Sequence, residues 1–152
     1  MPSLTRLASA ILLAVAALYM GEQYKLLYED PPRMGQLTLL LAPTFAFAGW
    51  KFTGGRIKGQ LVTDIFDTLQ GVILGLMLAL ALFGTMEVFR LGYAVRYKTL
   101  NDAVFGFFNI TGEHLLRMID RDFLIQIGVI VLVIGVILSL VFRWAEARRL
   151  RK

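Results

Sequence analysis

The chain has 152 residues, 57% of them hydrophobic and 18% charged, and contains no cysteine. An ordinary soluble domain carries roughly 45 to 50% apolar residues, so this composition indicates a membrane-embedded chain forming a single domain over residues 1–152. Without cysteine there can be no disulfide, thiolate metal site or thiol redox chemistry within the chain. The net charge of +5 lies near the ends of apolar runs and not on a polar face, which excludes a nucleic-acid module and fits the positive-inside rule.

The first apolar run, Leu4 to Met20, continues as helical pattern through Tyr24 and Leu27, so an uncleaved span over about 4–27 is expected. Ala10, Ala14, Ala17 and Gly21 form a small-residue stripe on which another helix can approach. Glu29-Asp30-Pro31-Pro32-Arg33 is a turn, because consecutive prolines remove donors and disfavour helix in the preceding residue. A second, shorter span is expected over about 34–53, with Pro43 inside it as a kink. Lys51 to Gly59 follows as a glycine- and cation-rich loop. It lacks the G-x-x-x-x-G-K-[ST] pattern of a phosphate loop and has no strand before it.

The third span, about 62–92, begins with Asp64 and Asp67 on one helical face and ends with Glu87 and Arg90. Between them lies Gly71-x-x-x-Gly75, the spacing that lets two helix backbones touch. The acids suit a helix N-terminus by dipole alone, and Glu87 with Arg90 has the i, i+3 spacing of an ion pair. Residues 99–121 are neither apolar enough to span nor polar enough for a free loop. They predict short amphipathic helices at the water interface, broken at Gly112, with Thr111 as the second N-cap and Glu113 complementing its dipole. The last span, about 122–145, has Gly128, Gly135 and Ser139 along one side and leads to a basic tail.

The fold class expected is thus an all-α membrane protein with four transmembrane helices and a short amphipathic interfacial segment between helices 3 and 4. Three cations in the Lys51 to Lys58 loop and five in the tail, against two in the Glu22 to Arg33 loop, place both termini in the cytoplasm. The outer segment from Arg90 to Arg121 also carries five cations, which runs against that orientation. Trp50 and Trp144, each next to a cation, suit an inner interfacial belt. No ionisable residue stands in the central part of a span, where a charge costs at least about 2.5 kcal/mol, so no catalytic, cofactor-binding or metal-binding residue is assigned. His114, the single histidine, is not by itself a metal site.

Gly49-Trp50-Lys51 at the end of the second span and Glu87-Val88-Phe89-Arg90-Leu91 followed by Arg96-Tyr97 resemble the TrgA family of alphaproteobacterial membrane proteins. The likeness extends along the chain and includes Glu113 before the last span. It implies a non-enzymatic inner-membrane protein associated with tellurite or other oxyanion resistance, without cofactor. From the residues themselves two alternatives stand beside it: a structural or assembly subunit of a larger respiratory or photosynthetic complex, and an oligomeric anion transporter. Partners would be membrane lipids, other membrane proteins or further copies of the chain. The residues singled out for function or contact are Asp64, Asp67, Gly71, Gly75, Glu87, Arg90, Arg96, Tyr97 and Glu113.

Overall fold

Long apolar runs without water to satisfy their backbones fold as helices, and every described element of this chain is helical. A computed structural model describes residues 4–27, 34–93 and 99–149. Helix α1 is Leu4–Lys25 and α2 is Met34–Ala48. A π-helical segment, Gly49–Thr53, and a short turn, Gly54–Arg56, prolong α2. Helix α3 is Leu61–Tyr93, α4 is Leu100–Met118 and α5 is Arg121–Arg149.

Three of these, α1, α3 and α5, are long and apolar enough to cross a membrane. The expected four such helices are therefore three: α2 as an α-helix is only 15 residues, below the roughly 20 that span a bilayer. Its helical path nevertheless runs on through the π segment to Arg56. Pro43 lies inside α2 without interrupting it, and a π-helical irregularity lies beyond it at Gly49–Thr53. There the Gly49 carbonyl accepts both the Gly54 N–H and the Ser9 hydroxyl, the latter at 2.7 Å.

Helices α1, α2, α3 and α5 form a closed square in which each packs on the next and α5 returns to α1. Neighbours run antiparallel, as contact pairs show. Gly21 meets Leu41 and Gly49 meets Ser9 between α1 and α2, whereas Gly135 meets Ile65 and Gly59 meets Phe142 around α3 and α5. This is the up-down-up-down order of a four-helix bundle. The core consists of Leu13, Ala17, Leu41, Phe45, Val72, Ala79, Ile134 and Leu138, supplied by all four helices.

Glycines set how closely these helices approach. A side-chain carbon on Gly71 would overlap the Thr53 hydroxyl, and one on Gly75 would lie 2.9 Å from the Phe45 ring. The Gly71-x-x-x-Gly75 face is accordingly consumed inside the chain, against α2 and its continuation. Gly135 of α5 is seated on Ile65, while Gly128, expected on the same packed side, faces open space. The link between Arg56 and α3 turns at Gly59, whose φ of 78° is a left-handed conformation suited to glycine. Its carbonyl accepts from Arg143 Nε at 2.9 Å, tying that turn to α5.

The interfacial segment also differs from expectation. Instead of two short helices broken at Gly112, α4 is one helix of 19 residues, and its N-cap is Thr99 and not Thr111. Thr99 and Asp102 form a reciprocal capping box: the threonine hydroxyl accepts the Asp102 N–H and the carboxylate accepts the Thr99 N–H. Once that nucleus exists, Gly112 costs only about 1 kcal/mol in the helix interior, too little to interrupt it. Thr111 instead faces α3, where with Phe107 it closes on Gly84.

Candidate functional site

Two regions of the bundle carry polar chemistry or space. At the end where α3 begins, Thr5, Ser9, Thr53, Asp64, Thr68 and Ser139 are all buried. Ser9 donates to the carbonyls of Gly49 and Arg6. Thr68 donates back to the Asp64 carbonyl at 2.7 Å, a local bond of the kind threonine makes within helices.

Asp64 is 0% exposed. One carboxylate oxygen accepts the Lys58 N–H at 2.9 Å, fastening the loop before α3 to that helix, while the other has no partner among the described residues. Thr53 Oγ1 and Ser139 Oγ are likewise buried without partners. Asp67, its expected companion, is half-buried, and the described residues contain no group of three or more potential metal ligands. The arrangement accounts for Asp64 as a fastening between loop and helix.

Opposite, α4 closes the bundle. Tyr24 of α1 is buried, and its hydroxyl lies 2.7 Å from His114 Nδ1. The Phe83 ring meets the imidazole edge-on and the Phe123 ring lies against Tyr24, with Leu80 and Met118 completing an apolar surround. Burial holds the His114 pKa below its ordinary 6.5, opposed by the neighbouring Glu113 carboxylate and assisted by Arg117. A neutral imidazole can accept the tyrosine proton at Nδ1, and this pair was not legible in sequence because its members stand 90 residues apart.

Beneath the pair lies a cavity of about 260 Å³ between α1, α2, α3 and α5. Tyr24, Phe45, Val72, Leu76, Met118 and Ile127 are among its walls, and no polar atom faces it. Apolar cavities even of about 150 Å³ stay dry and take benzene-sized guests, so hydrocarbon suits this one. Two of its lining residues, Ile73 and Leu124, are 53% and 48% exposed, so the cavity reaches the outer apolar surface of α3 and α5 through them. A second cavity, of about 200 Å³, shares Phe123 with the first and is lined by Gln23, Asp120, Asp122 and Gln126 together with Leu26 and Leu27.

The remaining sequence candidates are placed separately. Glu87 and Arg90 pair with each other near the end of α3, the glutamate partly buried, and Arg90 Nε makes no further bond. Glu113 is exposed on α4, one residue from the half-buried His114. Arg96 and Tyr97 lie outside the described residues, as does the Glu29 to Arg33 turn. Comparison of the chain with protein-family models, curated proteins and solved structures gives no match. The TrgA resemblance is therefore carried by the sequence motifs alone.

Proposed function

We propose that this chain is a non-enzymatic, four-span protein of the bacterial inner membrane that acts as an accessory subunit, docking a larger membrane assembly through α4. The observation that carries the reading is the three-sided character of α4. Phe107, Thr111, His114 and Met118 turn to the bundle. Phe105, Phe108 and Leu116, exposed by 72, 65 and 73%, make a second, outward apolar side. Asp102, Glu113 and Arg117 supply the exposed polar side. A helix of this kind suits the membrane–water boundary, and a cluster of exposed aromatic residues beside polar ones is a common mark of an interaction surface.

Four spans are favoured by the bundle square, which α2 and its π continuation complete, and an even number of spans puts both termini on one side. The cation-rich Lys51 to Lys58 loop makes that side the cytoplasm. Since the chain has no cysteine, single substitutions Lys58→Cys and Asn109→Cys report topology directly. A membrane-impermeant maleimide applied to intact spheroplasts should label only the second.

The TrgA resemblance supplies the physiological setting, tolerance of tellurite. Purification in gentle detergent with a C-terminal tag should recover partners in fixed ratio, and Phe105→Ser with Phe108→Ser should release them. Deletion should lower tellurite tolerance with neighbouring genes still expressed. Recovery of monomer alone, together with unchanged tolerance, would overturn the proposal.

A further inference from the structure

We infer that the two cavities that share Phe123 as a wall together form one binding site for a bilayer phospholipid with an amine-bearing head group, its acyl chain in the apolar cavity and its ammonium at the polar one. The apolar cavity is lined in part by Ile73 and Leu124, which are also exposed on the apolar outer sides of α3 and α5. A chain can enter there from surrounding lipid without crossing water. With no polar atom facing that space, a quinone ring or other carbonyl-bearing head inside it would lose its hydrogen bonds to no compensation. A plain hydrocarbon chain loses none.

The neighbouring cavity has the complementary chemistry. Gln23 and Gln126 present carboxamides, and Asp120 and Asp122 present carboxylates at the start of α5. Asp120 Oδ2 is occupied by the N–H groups of Asp122 and Phe123, which fixes that carboxylate at the helix start. Two acids and two amides select a hydrogen-bond-donating cation over an uncharged polyol head. Phe123, buried and shared by both spaces, sits where chain and head would join.

The test uses the full-length protein in detergent micelles supplemented with equal amounts of phosphatidylethanolamine and phosphatidylglycerol of matched chains, with bound lipid read by native mass spectrometry. Phosphatidylethanolamine should be retained over phosphatidylglycerol by up to about fivefold, the most that one exposed ion pair supplies. Asp122→Asn, an exposed side-chain change that keeps the backbone N–H accepted by Asp120, should bring the two lipids to parity while total bound lipid persists. Leu76→Trp, which fills the apolar cavity, should abolish retention of both lipids; Val15→Trp, on the exposed side of α1, should not. Preference for phosphatidylglycerol, equal loss from Val15→Trp and Leu76→Trp, or selective retention of an added isoprenoid quinone would each overturn the assignment. Should Leu76→Trp not fold, the Asp122→Asn comparison decides alone: an unchanged preference there rejects the head-group site.

Discussion

Replacing Tyr24 with Phe removes one oxygen and keeps the ring, so its effect reports on the hydroxyl that lies against His114. The hydrogen bond between them is 2.7 Å long, and the tyrosine is buried. A neutral hydrogen bond contributes about 1 kcal/mol net, and leaving its half-buried partner one bond fewer raises the loss toward about 2 kcal/mol. Tyr24→Phe should therefore raise the opening constant of α4 about five- to thirtyfold at pH 7.5. Hydrogen exchange of α4 amides, corrected for intrinsic rates, measures this directly, with α3 amides near Val72 as an internal reference.

The partial burial of His114 sets a pH dependence. Burial lowers the His114 pKa in the folded state, so between that value and about 6.5 the unfolded chain binds more protons. Stability is then full above about pH 6.5 and is lost as pH falls from there through the folded value. Tyr24→Phe no longer favours the neutral imidazole, so it should show a smaller loss between pH 7.5 and pH 5.5 than the native chain. Native α4 protection that rises on acidification, or a Tyr24→Phe protein indistinguishable from native at pH 7.5, would refute the reasoning.

Three further changes test other contacts. Gly71→Ala should destabilise the bundle by about 1 to 3 kcal/mol, because its methyl would meet the Thr53 hydroxyl, whereas Gly128→Ala should be neutral or slightly stabilising; denaturation of both by added SDS, followed by circular dichroism, compares them. Asp64→Leu should cost about 1 to 3 kcal/mol by stranding the Lys58 N–H, and Asp64→Asn, which keeps an acceptor oxygen, should restore most of that loss in the same assay. Thr99→Ala removes the capping box and should cost about 1 kcal/mol, seen as faster exchange confined to the first turn of α4.

Where helices begin and end was largely readable from local pattern. Apolar runs bounded by charge located α1, α3 and α5, and the Gly71-x-x-x-Gly75 spacing identified a packed face. Local signals failed where a neighbour or a competing local bond decided. Gly112 looked like a break, but the Thr99–Asp102 box nucleates a helix that runs through it. Nothing local marked the π turn at Gly49–Thr53, where Ser9 of α1 supplies a donor to the Gly49 carbonyl. His114 carried no motif at all, since its meaning depends on a tyrosine 90 residues away.

By itself, then, the sequence determined which helices are long and apolar enough to cross a membrane. Hydrophobicity is summed over a run of residues, and no tertiary contact is needed to make Leu61–Gly92 prefer hydrocarbon. Tertiary structure decided which small residues would be covered and where space would remain. Gly71 and Gly75 are closed by α2 and Gly128 by nothing described, and a cavity opens where four helices meet beneath Tyr24. Those outcomes depend on the shapes of side chains brought together from distant parts of the chain, which periodicity along one helix does not encode.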